Sequence, residues 1–258
     1  MNIVTESQTK SMKNVFLLLL LLIFLSSCSD NSRNAFVSGN LWKITSKEGI
    51  ESYIFGTLHI YPKNELQVSE NAFTSLKKCK TLVLEFDITD AKELKKISDY
   101  NILNPSSKSD WTDALFTVYG FEELISMEIQ LIEVANEYGI NIIGLESADE
   151  KLSISGKSKI IEDPEQMMTN EKIIQTFQEG FKMYREENIC GVKEKMLTEE
   201  PKLIELVINE RNKNWVDDIA KSLQRNESFI AVGMAHLGGK NGLLNLLYEE
   251  GYKLERIK

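Results

Sequence analysis

The chain contains only two histidines, and both lie in the same local pattern. Each histidine ends a Gly-x-x-His motif that follows an apolar run. His59 ends the motif in "YIFGTLH", and His236 ends the motif in "FIAVGMAH". Imidazole is a common general acid–base group and a common metal ligand. Because both histidines share one setting, we expect the two rings to act together.

Two carboxylates follow other apolar runs in the same way. Glu85 comes after "TLVL", and Glu146 comes after "NIIGL". The carboxyl ends of parallel strands lie along one edge of a sheet, where open α/β folds bind ligands. If these strands are parallel, the histidines and the glutamates meet. The motif glycines, Gly56 and Gly233, would let backbone or ligand approach this edge closely.

Two imidazoles with one or two carboxylates form a ligand set for a divalent transition metal that keeps open positions for water or substrate. The sequence therefore predicts His59, His236 and Glu85 as metal ligands. Such an ion would lower the pKa of bound water and polarise a carbonyl group. The alternative is that strand-end polar residues only satisfy loop backbone groups, but the shared setting of the histidines favours the metal.

Two charged residues lie on apolar helix faces. At about 100° per residue, Glu128 falls within the apolar face of "SMEIQLIEVANEYG" and Arg211 within that of "KLIELVINERNKNW". A charge facing inward needs a partner. A buried Glu–Arg pair or a snorkelling side chain would satisfy this need. Near a metal, Glu128 or Glu146 could accept a proton, and Arg211 could hold a substrate carboxylate or an oxyanion.

Strand-like and helical segments alternate along the chain. This order predicts an α/β fold with a mostly parallel central sheet flanked by helices, and with a helical insertion or cap at about residues 153–227. We expect the domain to open with a hairpin that turns at Gly49. We also expect "VSENAFTSLKKCK" to be a helix capped by Ser69, and "FEELISMEIQLIEVANEYG" to be a helix that ends at Gly139.

The first 27 residues have the pattern of an export signal. A basic flank precedes an apolar core that is too short to span a bilayer comfortably, and "LSSC" follows it. This ending resembles a bacterial lipoprotein signal, which predicts cleavage before Cys28 and lipid on its thiol. A plain secretory signal or an uncleaved anchor are the alternatives. We expect a flexible tether at 28–39, the folded domain at 40–258 and attachment to a membrane of the cell envelope.

Composition excludes several classes of protein. The formal net charge of −9 disfavours a nucleic-acid partner. Beyond Cys28 only Cys79 and Cys190 remain, so either one disulfide or two unpaired buried thiols is expected. The chain lacks Gly-x-Ser-x-Gly, the phosphate-binding loop and the dinucleotide fingerprint.

Five segments together resemble the TraB/GumN family, in order from about Trp42 to Ile257. They are "YIFGTLHIYP", "TLVLEFD", "GLES", "NERNKNWVDDIAKSL" and "FIAVGMAHLGGKNGLLNLLYEEGYKLERI". That family is grouped with the animal TIKI proteins, described as membrane-tethered metalloproteases, and more distantly with haem-binding ChaN-like proteins. The resemblance implies a ChaN/TIKI-like fold, with manganese or cobalt as the metal. Zinc is a further candidate from the ligand types.

The resemblance also implies roles for particular residues. His59 and His236 match the motif histidines, Glu85 matches the glutamate after the second strand, and Arg211 matches the arginine of the "ERN" helix. Glu128 and Glu146 match positions where the family often has a carboxylate.

The leading hypothesis is a lipid-anchored, metal-dependent hydrolase of peptidase type, with a peptide or small molecule as substrate. One alternative is a non-enzymatic envelope lipoprotein that binds haem or a peptide through the same histidines. A second alternative is a structural envelope protein with a degenerate site.

Overall fold

A computed structural model describes residues 36–104, 110–161, 169–199 and 201–258. The predicted signal, the lipidated Cys28 and most of the predicted tether lie outside these residues. Within the described part of the chain, no helix combines the length and the apolar character that crossing a bilayer requires.

The strands of the described residues form a six-stranded sheet and a separate two-stranded pair. In chain order the strands are β1 (Leu41–Thr45), β2 (Glu51–Thr57), β3 (Tyr61–Pro62), β4 (Thr81–Phe86), β5 (Leu124–Ile125), β6 (Asn141–Glu146), β7 (Ser228–Gly233) and β8 (Lys253–Arg256). The order in the large sheet is β6-β4-β7-β2-β1-β8, and β3 pairs with β5.

The sheet is parallel where the predicted site residues lie. Strands β6, β4, β7 and β2 are parallel neighbours, whereas β1 runs antiparallel to both β2 and β8. The β1–β2 hairpin turns at Gly49, whose φ of 86° favours glycine. Strand β4 is buried along its whole length, as its continuous apolar run predicts. The predicted α/β fold is confirmed.

Helices cover the sheet and fill most of the second half of the chain. They are α1 (Glu70–Leu76), α2 (Ala91–Leu103), α3 (Asp110–Tyr119), α4 (Met127–Tyr138), α5 (Ala148–Ile161), α6 (Asn170–Arg185), α7 (Ile189–Glu199), α8 (Pro201–Ile204), α9 (Glu210–Arg225) and α10 (Leu243–Glu249). Ser69 caps α1 by accepting a hydrogen bond from the Ala72 N–H, and Gly139 ends α4 in the left-handed region.

One predicted helix begins later than its sequence pattern indicates. Residues Phe121–Glu123 form a 3₁₀ turn, and the two residues after them form β5, so the regular helix α4 starts at Met127. Strand β5 pairs with β3, and β3 follows the first histidine motif in the chain. Tertiary pairing therefore overrides local helix propensity here, as it often does.

Helices α6 and α9, in the second half of the chain, belong to the same core as the sheet. Helix α9 buries Trp215, Ile219 and Leu223 in the main core cluster, and α6 buries Phe181 and Tyr184 there. The described residues of the segment predicted at about 153–227 are mostly helical, and α6 and α9 pack in the same core as the sheet.

The two cysteines within the described residues are unpaired. Cys79 is buried, and its pKa is raised to about 12, chiefly by burial. Cys190 is only partly buried. Of the two alternatives, unpaired thiols are confirmed, but the expected full burial of Cys190 is wrong.

Gly56 is needed for close packing between the two motifs. A Cβ atom added at Gly56 would lie 2.8 Å from Cδ1 of Leu237 and 3.0 Å from Cα of Met234. The second motif therefore packs directly onto β2 because Gly56 has no side chain.

We expect Gly56→Ala to lower the free energy of unfolding by about 1–3 kcal/mol, the usual cost of overpacking. Gly180→Ala in α6 is the matched control, since a Cβ atom there meets nothing within 4 Å. It should raise stability by up to about 1 kcal/mol because alanine is the better helix former. Denaturant unfolding measures both variants, and equal stability of the Gly56 variant and wild type would contradict the packing argument.

Candidate functional site

The structure brings the predicted site residues together at the carboxyl edge of the parallel strands. Glu85 lies near the end of β4, and Glu146 is the last residue of β6. His59 follows β2, and His236 ends a 3₁₀ turn that follows β7. The arrangement expected from strand order alone is therefore the one that the chain adopts.

The carboxylate of Glu85 is the centre of this site. Its Oε1 atom accepts a hydrogen bond from the Gly233 N–H at 2.7 Å. The same oxygen lies 3.6 Å from Nε2 of His59 and 3.7 Å from Nε2 of His236. Its Oε2 atom accepts a hydrogen bond from Nη2 of Arg211 at 2.7 Å. One buried carboxylate thus connects both motifs and the arginine.

Glu85 remains ionised in spite of its burial. Burial raises the pKa of this carboxyl group, but the positive charges of His59 and Arg211 and the hydrogen bond from the Gly233 N–H lower it by more. The pKa of Glu85 therefore lies well below its usual range, so the group is an anion at neutral pH.

A carboxylate orients the first histidine. Nδ1 of His59 lies 2.8 Å from Oε1 of Glu128, and Glu128 also accepts hydrogen bonds from the hydroxyl groups of Thr57 and Ser126. This contact directs Nε2 of His59 towards Glu85, as in carboxylate–histidine–metal sites. Desolvation lowers the pKa of His59, but the hydrogen bond to Glu128 and the charges of both glutamates outweigh it and raise the pKa to about 9.

The second histidine lies in the opposite environment. The side chain of His236 is only 3% exposed, whereas that of His59 is 59% exposed. Nδ1 of His236 lies 2.6 Å from Oδ1 of Asn212, and its ring centre is 4.6 Å from that of Trp215. Burial lowers the pKa of His236 to about 3, so this ring is neutral at pH 7.

Arg211 is held by two carboxylates and an aromatic ring. Its Nε and Nη2 atoms donate to the two oxygens of Glu146 at 2.6 and 2.9 Å, and Nη2 also donates to Glu85. The guanidinium carbon lies 4.4 Å from the ring centre of Trp215. Both oxygens of Glu146 are therefore engaged by the arginine. The inward-facing charges predicted at Glu128 and Arg211 do not pair with each other. Glu128 contacts His59, whereas Arg211 pairs with Glu146 and Glu85.

A π-helical turn precedes Arg211. Residues Glu205–Asn209 form this turn between α8 and α9. A π turn adds one residue to the helical repeat and changes the direction in which the following side chains point. The carbonyl group of Val207 within it accepts a hydrogen bond from Nη1 of Arg211 at 3.1 Å. The turn therefore both aims and anchors the arginine.

Gly233 leaves space at the point where the site residues meet. A Cβ atom added there would lie 3.3 Å from Oε1 of Glu85, 3.5 Å from Nε2 of His59 and 3.7 Å from Cδ2 of His236. The φ of Gly233 is −52°, which any residue adopts, so glycine is not required by the backbone. It is required because a side chain would fill the space between the three residues.

Among the described residues, no group of three or more His, Cys, Asp or Glu side chains has the geometry of a metal site as it stands. Two ligand atoms of a tetrahedral ion at about 2.1 Å would be about 3.4 Å apart. The 3.6 and 3.7 Å separations in the site are a few tenths of an ångström wider. The donor types and the space beside Gly233 fit a divalent ion, provided that the ligands contract slightly.

The charge of the site also suits a cation. Glu85, Glu128 and Glu146 carry three negative charges, and Arg211 carries one positive charge. Without a metal, the protonated ring of His59 adds a second positive charge, and one negative charge remains unbalanced. A ligating His59 would be neutral, and two negative charges would then remain. A divalent ion would balance them.

Sequence reasoning assigned no role to Asn212, Thr57, Ser126 or Trp215. Asn212 is fully buried and contacts His236. The signal for it was available, since this amide lies beside Arg211 on the inward face of α9, where a polar side chain needs a partner. The hydroxyl groups that bind Glu128 gave no comparable signal.

One cavity among the described residues lies away from the candidate site. Its volume is about 420 Å³, and Glu48, Glu51, Lys78 and Glu227 contribute to its lining. These residues precede or begin strands, so the cavity is at the amino edge of the sheet, opposite the candidate site.

Arg211→Met should lower the free energy of unfolding by about 3–5 kcal/mol, because it leaves two buried carboxylates without their cation. Arg185→Met is the matched control: Arg185 pairs with Glu65 at the surface, and its loss should cost at most about 1 kcal/mol. Denaturant unfolding at neutral pH compares the two variants. Similar losses in both would contradict the view that Arg211 neutralises the site.

Comparison with protein families gives one match. A family model described as "TraB/PrgY/gumN family" matches residues 40–118 and 114–256, which include both histidine motifs. No curated protein and no solved structure matches the chain.

Proposed function

The chain belongs to the TraB/PrgY/gumN family, and from that premise we propose that it is a metal-dependent hydrolase of peptidase type. The observation that carries this proposal is the convergence of both motif histidines on the single carboxylate of Glu85, around the space left by Gly233. Nε2 of His59, Nε2 of His236 and Oε1 of Glu85 are the proposed ligand atoms.

A divalent ion held there would lower the pKa of a coordinated water and polarise a substrate carbonyl group. The residues around it would complete the chemistry. Nη1 of Arg211 lies 3.4 Å from Nε2 of His236 and carries a fixed positive charge, so it would stabilise negative charge that develops on a carbonyl oxygen. Glu146 keeps the guanidinium group in place through two hydrogen bonds.

The proton acceptor is proposed to be Glu128 rather than Glu146. Both oxygens of Glu146 are bound by a guanidinium group, and such bidentate ionic pairs are strong. Glu128 accepts two of its hydrogen bonds from the neutral hydroxyl groups of Thr57 and Ser126. Such hydrogen bonds are weaker than ionic ones, so they break more easily when the carboxylate takes up a proton. Before it accepts a proton, Glu128 orients His59 through its contact with Nδ1.

The burial of His236 favours a small ion over haem at this site. An axial ligand must be within reach of a planar macrocycle, and the side chain of His236 is only 3% exposed beneath Trp215 and Arg211. The haem-binding alternative would have to use the exposed His59 alone. We therefore propose a peptide or small carbonyl compound as substrate.

The proposed location is the cell envelope of a bacterium, on the periplasm side, with the protein held at a membrane by lipid. The basic, apolar and "LSSC" segments before residue 29 support export and lipid attachment at Cys28. The lipid would hold the enzyme in the cell envelope, where extracytoplasmic peptides are accessible.

The full-length chain, purified in detergent, should contain manganese, cobalt or zinc and cleave labelled peptides. A chelator should abolish cleavage, and one of these ions should restore it. His59→Gln and His236→Gln should each lose metal and activity, whereas Glu249→Gln, a change on the exposed face of α10, should retain both. Elemental analysis and a peptide assay make the comparison. A wild-type protein that binds none of the three ions would refute the proposal, and a Soret band on adding haem would support the rival.

Gly233→Ala tests the space between the ligands. We expect metal affinity to fall about 5- to 140-fold, because crowding costs about 1–3 kcal/mol and each tenfold in affinity corresponds to about 1.4 kcal/mol. Gly156→Ala in α5 is the control, since a Cβ atom there meets nothing within 4 Å. Calorimetric titration with Mn²⁺ measures both. Unchanged affinity in the Gly233 variant would show that the ion does not bind beside this glycine.

A further inference from the structure

We infer that Asn212 is a positioning residue that holds His236 as the tautomer with its proton on Nδ1, so that Nε2 keeps a free lone pair facing the site. This role concerns a residue outside both histidine motifs. It depends on the orientation of one amide group, which the neighbouring carbonyl groups determine.

The orientation of the Asn212 amide is fixed by two carbonyl groups. Its Nδ2 atom donates to the backbone oxygen of His236 at 3.0 Å and to that of Asn241 at 2.7 Å. If nitrogen and oxygen were exchanged, Oδ1 would face two carbonyl oxygens, and none of the three atoms could donate. Because Asn212 is 0% exposed, water cannot relieve that repulsion.

The fixed amide determines the tautomer of His236. Its Oδ1 atom can only accept, and it lies 2.6 Å from Nδ1 of His236. Nδ1 must therefore carry the proton. In a neutral imidazole the other nitrogen, Nε2, then has the lone pair.

Arg211 supports the same assignment from the other side of the ring. Its Nη1 atom lies 3.4 Å from Nε2 of His236, and a guanidinium group can only donate hydrogen bonds. A protonated Nε2 would place two donors against each other. At 3.4 Å this hydrogen bond is long, so the lone pair is only weakly engaged and remains available to a ligand.

An amide suits this buried position better than a carboxylate does. Glu128 orients the exposed His59 with a negative charge, but the candidate site already contains three carboxylates and only one arginine. A fourth, beside a ring that is 3% exposed, would add a buried charge and favour the imidazolium form. Asn212 orients the ring without adding charge.

The same side chain connects three parts of the fold. It lies on α9, accepts from the histidine of the second motif and donates to the loop after it through Asn241. The position of His236 is thus fixed relative to Arg211, the neighbouring residue on the same helix. The tautomer does not require a metal, but its effect on metal affinity rests on the proposed function.

The test is a long-range ¹H–¹⁵N spectrum of the metal-free, full-length chain in detergent, labelled with ¹⁵N-histidine. The chain has two histidines, so two ring systems are expected, and His59→Gln identifies the signals of His236. We expect wild-type His236 to show a protonated Nδ1 and an unprotonated Nε2. A protonated Nε2 in wild type would overturn the inference.

Asn212→Leu removes the amide, so the proton can move to Nε2, where Glu85 is nearby. Asn209→Leu is the matched control, because Asn209 is also buried on the inward side of this helical segment but donates to Glu205. We expect only the Asn212 variant to lose the Nδ1 proton signal. If it folds and keeps that signal, Asn212 does not determine the tautomer.

Should Asn212→Leu fail to fold, the wild-type spectrum decides alone. Its Nδ1 proton must be present on His236, and its absence would overturn the inference.

Titration of the same proteins with Mn²⁺ separates the two proposals. Loss of the Asn212 amide should weaken binding about 10- to 100-fold, the usual effect of removing a residue that orients a metal ligand. If wild type shows the Nδ1 tautomer but binds no ion, the metal proposal fails and the assignment of Asn212 stands. If both proteins bind Mn²⁺ equally, the positioning role fails and the metal proposal stands.

Discussion

A buried carboxylate needs hydrogen-bond donors or positive charges around both of its oxygens. In this protein, that requirement determines how the residues of the site are arranged. Glu85 lies near the end of a strand that is buried along its length, so its charge cannot be hydrated as it would be at the surface. The Gly233 N–H, the Arg211 guanidinium group and the two imidazoles surround it instead. Each of these groups is in turn held by a further partner, which is why the polar residues form one connected network.

The two histidine motifs share the Gly-x-x-His pattern, but their histidines lie in different environments. His59 is exposed and paired with a carboxylate, so it favours the protonated state in the absence of a metal, whereas buried His236 is neutral. The difference arises from the elements that follow. The first motif runs into the small β3–β5 pair, whereas the second is followed by a loop that Asn212 of α9 binds. One site therefore combines a ring that can reach solvent with a ring that cannot.

Much of this arrangement could be predicted from the sequence, for identifiable reasons. Apolar runs gave the parallel strands, and the rule that their carboxyl ends share an edge brought His59, Glu85, Glu146 and His236 together. Helical phase placed Glu128 and Arg211 inside. Hydrogen-bond partners could not be predicted, because they depend on tertiary distances: Glu146 binds Arg211, and Glu128 binds His59. The π turn and β5 were also missed, since both replace the regular helical repeat that the pattern suggested.

The residues of the site come from distant parts of the chain. His59 follows β2, and His236 follows β7, so the central strand β4 and most of the helices lie between them in sequence. Bringing such distant segments together costs loop-closure entropy that is recovered only when the whole core forms. A partly folded chain therefore lacks the assembled site, and we expect the site to form only when the whole core has folded.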